Sequence, residues 1–463
     1  MHLSKRAAII GLWVMALLLS SVSSESVQAW PAAACPDEKS PAAAPCLPSA
    51  DGMPLVRPAA WPAAPLSRAF FGMHIHRPHT IWPSLNGSLG AVRIWDTAAQ
   101  WADVNPAKGV FQWAVLDYHV SRARAHGADV IMTLGRTPRW ASARPTEPSA
   151  YGPGQAAEPA LDQYWQDWVR AVATRYQGKI RYWEIWNEPN DPAFFSGSAE
   201  KLVDLSRQAY TILKTSDPQN QVLSPSPYEI SYLDYYLSLG GGAVADVIGY
   251  HFYLDEAPEA LANWYIPRVW AVLEAHGQAA KPLWNTEGGY LRPVIPGPKT
   301  LSDDLGAAYL ARTYLLNWAG GVSRFYFYAW DNHTTTNIEL TAADDVALTT
   351  AGVAYRELAG WLLGARLTDL SVDENGVWIV SFDQATGDRA HIVWRTSTTV
   401  TFAPPPAWNV QSARMLTGAV SYTHLRAHET VLDLVCRLLL EKKKATATHR
   451  QVCRVKHATR VRP

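Results

Sequence analysis

Apolar and polar positions follow two rhythms along this chain, and the rhythms alternate. Short apolar runs predict β-strands at 70–76 (FFGMHIH), 90–95 (GAVRIW), 129–135 (DVIMTLG) and 180–187 (IRYWEIWN). Four more follow at 221–226 (QVLSPS), 246–253 (DVIGYHFY), 282–288 (PLWNTEG) and 324–330 (RFYFYAW). Helical spacing lies between them. In LDQYWQDWVRAVATRYQ, Leu161, Trp165, Trp168, Val169 and Val172 share one stripe, while Asp162, Gln166 and Arg170 fall largely off it. The segments 304–320 and 350–363 behave similarly. Strand alternating with helix is the order of parallel strands joined by crossovers, and eight such strands in about 300 residues predict an α/β fold, the (β/α)8 TIM barrel. A doubly wound open sheet is the alternative, but no Gly-rich phosphate turn follows the first strand.

Beyond the barrel, 376–402 alternates apolar and polar residues around a turn at QATGDR, which predicts a small antiparallel β domain over 365–419. The expected division is therefore a barrel at 67–364, that β domain, and three flanking segments. Residues 1–29 read as a signal peptide: Lys5 and Arg6, an apolar run from Ala7 to Leu19, and the small-residue site VQA ending at Ala29. The run is short for a membrane span, so export without a stable span after cleavage, to the periplasm or the medium, is expected. Residues 30–66 form an Ala/Pro-rich linker in which Cys35 and Cys46 are placed to form a small disulfide.

From Val420 the text changes character. VSYTHLRAHET resembles translated sequencing-adapter sequence, and DLVCRLLLEKKK resembles primer sequence running into poly-A, so 420–463 is expected to be non-native read-through that leaves the β domain incomplete. A basic amphipathic tail is the alternative. Residues 421–463 hold 10 Lys+Arg and 3 Asp+Glu; taken from 41 of each sign, this leaves 31 basic against 38 acidic in the rest. The zero net charge thus averages a mildly acidic body and a basic tail, and a nucleic-acid role does not follow from it. A monomer is expected.

In a barrel of this kind the working residues sit where strands end and the βα loops open. Glu188 ends the fourth expected strand and Glu287 the seventh, so two carboxyls on opposite arcs of one mouth are placed to flank a glycosidic bond. Glu184 should point to the same side but deeper, as a buried support paired with Arg93 or Arg136. His74, His76 and His251 lack a carboxylate at ligand spacing, so no metal is expected. The high tryptophan and tyrosine counts, 21 and 20, fit sugar-ring contacts as well as a large core.

The segments WNEPN at 186–190 and WNTEGG at 284–289 resemble the acid/base and nucleophile segments of the retaining (β/α)8 glycoside hydrolase clan. The text from Arg93 to Asp117 followed by TLGRTPRWAS looks most like glycoside hydrolase family 39 and related endoglycosidases. The resemblance implies Glu188 as general acid/base, Glu287 as nucleophile, Asn187 as partner of the sugar 2-hydroxyl, and Arg93 as the cation that keeps the nucleophile ionised. It also implies Tyr253 as the hydroxyl on the nucleophile with His251 beside it, and Trp330 as the platform beneath the sugar. Trp140 and His76 are further candidates to line the cleft. No cofactor is implied. The expected function is hydrolysis of β-glycosidic bonds in a polysaccharide or oligosaccharide; the alternative is a non-catalytic carbohydrate-binding barrel.

Overall fold

The computed structural model describes residues 64–295, 297–396, 401–408 and 410–416, and the backbone of the strands Val420–Ser421, Cys436–Leu440 and Cys453–Arg454. The expected signal peptide, Cys35 and Cys46, most of the linker and most of the tail lie outside the described residues.

One eight-stranded sheet carries the fold, with β1 (Phe71–His74), β2 (Ala91–Ile94), β3 (Asp129–Leu134) and β4 (Tyr182–Ile185) followed by β5 (Gln221–Leu223), β6 (Ile248–Tyr253), β7 (Leu283–Gly289) and β8 (Val322–Phe327). The described pairs are parallel, in the order β5-β4-β3-β2-β1-β8-β7-β6. A parallel bridge between Leu223 and Val247 joins the two edges and closes the barrel. All eight expected strands are present. Their ends differ most at β8, which starts at Val322 and stops at Phe327, three residues short of Trp330.

Each major helix lies between strands for a local reason. Helix Asp162–Arg175 buries Trp165, Trp168, Val169, Val172 and Ala173. Leu161, expected on that stripe, sits instead at the N-cap and is 55% exposed. Side-chain oxygens of Ser198, Ser302 and Thr349 accept backbone N–H groups at the starts of helices Ala199–Ser216, Asp303–Ala319 and Thr350–Leu362, supplying partners that a first helical turn lacks.

The barrel floor is apolar and aromatic. Ala91, Ile131, Leu223, Val247, Trp284 and Tyr326 pack together there, and the Arg324 guanidinium lies 4.3 Å from the Tyr182 ring centroid and 4.2 Å from that of Trp284. Gly72 makes room for this layer, since a Cβ on it would stand 2.5 Å from the Tyr326 ring.

After the barrel, β9 (Arg366–Val372), β10 (Val377–Asp383) and β11 (Arg389–Arg395) pair antiparallel, and the β10–β11 hairpin turns at the expected QATGDR. β9 escaped the period-two reading because of a register shift at Ser381/Phe382. Leu370 and Leu367 thereby face Val380 and Phe382 at a spacing of three residues rather than two. The backbone of Cys436–Leu440 pairs with β11 on one side and with Val410–Met415 on the other. The β domain rests on the barrel through a Trp318–Phe382 edge contact and a 2.7 Å hydrogen bond from Trp394 Nε1 to Glu259 Oε1.

Candidate active site

The chain reaches Glu188 by leaving strand geometry early. β4 ends at Ile185, and Trp186 and Glu188 adopt left-handed backbone conformations, φ 65° and 42°, which side-chain-bearing residues seldom take. The turn is tied to the next strand's exit: Asn187 bridges Ser226, and the Glu188 N–H donates to the Ser226 carbonyl at 3.1 Å. Glu188 then presents Oε1 at 2.7 Å from His251 Nδ1, at the inner end of β6.

Glu287 arrives from β7 across the barrel. Its Oε1 accepts the Tyr253 hydroxyl at 2.7 Å and its Oε2 accepts Arg93 Nη1 at 2.6 Å. The β6–β7 register steps from Tyr250↔Asn285 to His251↔Glu287, which leaves Thr286 as a bulge residue. The bulge is how consecutive residues both serve the interior: the Thr286 hydroxyl lies 3.1 Å from His251 Nε2, and the Glu287 carboxyl enters the mouth. One carboxylate oxygen from each of Glu188 and Glu287 and one ring nitrogen of His251 all lie within 4.8 Å of one another.

Arg93 organises the layer beneath. Besides Glu287, it donates from Nε to Glu184 Oε2 at 2.7 Å and from Nη2 to Asn187 Oδ1 at 2.7 Å. The second contact fixes the Asn187 amide, leaving Nδ2 as its donor. Glu184 is fully buried and also accepts from the Thr133 and Ser226 hydroxyls, each at 2.6 Å. Of its two candidate partners, Arg93 is the one present; Arg136 pairs with Asp103 at 3.0 Å.

Burial raises both mouth carboxyls. Glu188 is pushed up to about 8, with Arg93 opposing and Asp191, Asp96 and Glu184 adding to the rise. Glu287 is pushed up by burial to about 7, with the Arg93 guanidinium opposing the rise. Arg93 acts on Glu287 in the expected direction, favouring its ionised form, but desolvation outweighs the guanidinium. Glu184 is the reverse case. Burial pushes it up, but Arg93 and the two hydroxyls outweigh that and leave it below the ordinary carboxylate value. Burial brings His251 down to about 4, so its ring is neutral near pH 7.

Two expected site residues, Trp330 and Trp140, pack away from the carboxyls, while His76 stays close to the site. Trp330 lies past the end of β8, 1% exposed, with Nε1 turned to the Asp345 carbonyl. The β8 ring that meets the site is Tyr328, whose centroid is 5.2 Å from His74, 4.9 Å from His76 and 6.3 Å from Tyr253. Trp140 packs edge-on against Tyr164 and donates to the Asn105 carbonyl, so it belongs to the rim packing. His76 is beside Tyr328, and its backbone N–H is held by Asp331. Sequence reasoning missed Asp96, which follows β2 and accepts the hydroxyls of Tyr151 at 2.6 Å and Tyr328 at 3.0 Å. Its place just past a strand end was the signal for it; Tyr151, inside a long loop, offered none.

Glu188, His251 and Glu287 form a donor set of metal-ligand type among the described residues, gathered from three strand ends rather than from one spacing in sequence. The set fits a cation poorly. Arg93 already brings positive charge to Glu287, Tyr253 occupies its other oxygen, and Glu188 and His251 are bonded to each other.

Residues 93–207 match the family profile described as glycosyl hydrolase family 10. Endo-1,4-beta-xylanase 1 of Gibberella zeae is 26% identical over 169 residues, covering 35% of this chain and 43% of that protein. The chain therefore spans less than half the length of the curated relatives it matches. A monomeric beta-xylosidase from Caulobacter crescentus superimposes with TM-score 0.60 at 15% identity, over 82% of this chain and 97% of that one. The GH39 enzyme from Xanthomonas axonopodis pv. citri does so with TM-score 0.54 at 19% identity, over 76% and 77%. The architecture, a (β/α)8 barrel followed by a β domain, is one that this chain shares with solved glycosidase structures.

Proposed function

We propose that this chain is an exported retaining glycoside hydrolase that cleaves β-glycosidic bonds of a polysaccharide or oligosaccharide. The observation that carries the reading is the approach of Glu188 and Glu287, with oxygens inside the 4.8 Å cluster. Retaining enzymes work with carboxyls about 5–5.5 Å apart, whereas inverting ones need about 6.5–9.5 Å to seat a water. Export rests on the charged, apolar and small-residue order of 1–29.

In this reading Glu287, held by Arg93 and Tyr253, attacks the anomeric carbon as its carboxylate. Glu188 gives its proton to the departing oxygen, and a covalent glycosyl ester of Glu287 results. Esterification removes the charge opposite Glu188, which then accepts a proton from water as the water displaces Glu287. Asn187 Nδ2 is placed to donate to the 2-hydroxyl, a bond that tightens as positive charge develops on the ring.

Xylan is the first glycan to test, because xylanases and a xylosidase recur among the similar proteins. Incubation with a polysaccharide panel, followed by NMR of the first-formed anomer, should give a β product from a β-linked substrate. An α product first, or saturable binding with no hydrolysis of any glycan, would refute the reading.

A further inference from the structure

Behind Glu188 a file of polar groups runs into the barrel. Glu188 Oε1 lies 2.7 Å from His251 Nδ1, His251 Nε2 lies 3.1 Å from Thr286 Oγ1, Thr286 Oγ1 lies 2.9 Å from Ser226 Oγ, and Ser226 Oγ lies 2.6 Å from Glu184 Oε1. All five side chains are buried. No water is needed to bridge any gap, since every step is a hydrogen-bond distance.

The direction of each bond follows from its far end. Glu184, paired with Arg93, is a carboxylate and only accepts, so the single Ser226 proton goes to it. Ser226 Oγ must then accept from Thr286, which commits the single Thr286 proton. With its proton spent, Thr286 Oγ1 can only accept from His251, so Nε2 carries a hydrogen. In the neutral ring, Nδ1 is then a bare acceptor facing Glu188.

We infer that Thr286 and Ser226 are positioning residues: their hydroxyls, oriented by Glu184, fix His251 as the Nε2–H tautomer, so that the proton shared between His251 and Glu188 resides on Glu188. This rests on the glycosidase reading for its purpose, because Glu188 must begin the cycle as an acid. The opposite tautomer would put an N–H against Glu188 and favour its ionised form instead. Once Glu188 has given its proton to the leaving oxygen, the carboxylate and the Nδ1 lone pair face each other. That repulsion strengthens Glu188 as the base that takes a proton from water. Two backbone features built the file: the bulge that turns Thr286 inward, and Gly249, where a Cβ would fall 2.0 Å from Ser226 Oγ. Arg93, Asp96, Glu184, Asp191 and, across the mouth, Glu287 are the other charged groups that act on Glu188.

The first test is ¹⁵N NMR of the histidines in the full chain near pH 7, with the His251 signals assigned by their loss in H251N. The inference expects a protonated Nε2 and an unprotonated Nδ1; a protonated Nδ1 in the wild type overturns it. The second test compares T286V with T286S in the pH profile of kcat/KM. T286V should move the alkaline limb down by about one pH unit, the worth of one hydrogen bond, and T286S should restore it. An unmoved limb in folded T286V also overturns the inference. A chain that holds the Nε2–H tautomer yet cleaves no glycan would refute the glycosidase reading and leave the tautomer assignment standing.

Discussion

Arg93 Nη1 lies 2.6 Å from Glu287 Oε2, and the same guanidinium lies 2.6 Å from Glu184 Oε2, with its own side chain wholly shut from solvent. One cation thus serves a carboxyl at the barrel mouth and a wholly buried one beneath it. Substituting R93M leaves Glu184 as a buried charge without its partner and should cost about 3–5 kcal/mol of stability. Denaturant unfolding followed by tryptophan fluorescence checks this. A loss below about 1 kcal/mol would mean that Thr133 and Ser226 suffice to hold Glu184.

Activity should peak in a narrow window. Glu287 must be ionised and Glu188 protonated, and burial places them at about 7 and about 8. kcat/KM should therefore fall below pH about 7 as Glu287 gains its proton, and above about 8 as Glu188 loses its own. Stability has a different dependence. Both groups hold protons more tightly than their ordinary value of 4.5. Their contribution is thus full below that value and is lost as pH rises through about 7 and 8. Thermal unfolding across pH 5–9, with the E188Q and E287Q variants flattening the decline, checks the sign.

The acid limb should respond to Tyr253. Its hydroxyl donates to Glu287 Oε1 at 2.7 Å, a bond that favours the ionised carboxyl. Y253F should move the acidic limb of kcat/KM upward and lower the maximum by about 10-fold or more. An unshifted acidic limb would show that Arg93 governs Glu287 without the tyrosine.

The two glutamates should separate on substrates with good leaving groups. E188Q should lose about 10²–10⁴-fold on a natural glycan, where the departing alkoxide needs a proton, and far less on an aryl glycoside that departs unaided. E287Q should lose both activities alike. Equal losses from E188Q on the two substrates would remove Glu188 from the acid role.

The barrel was legible because its strands advertise themselves by apolar runs of the right length, and its helices by a stripe such as Trp165, Trp168, Val169 and Val172. Glu188 and Glu287 were legible because strand ends locate a barrel's mouth. What remained hidden is backbone geometry. The bulge at Thr286 and the left-handed turns at Trp186 and Glu188 depend on pairing across the sheet, which no local pattern encodes. Trp330 was misplaced for a related reason: β8 stops at Phe327, so the ring expected at its tip falls in the core and the half-buried Tyr328 stands beside the histidines instead. The Thr286 and Ser226 hydroxyls look like ordinary polar residues until His251 is placed beside them.

The floor beneath this site is stoppered by Tyr182, Trp284 and Tyr326, with Arg324 wedged among the rings. Among the described residues this end of the barrel is therefore shut by packed rings, and the two glutamates lie toward the other end, where the strands finish. On the proposed reading, sugar and water reach the glutamates from the same side by which the released fragment leaves, so that fragment has to move off before water can take its place.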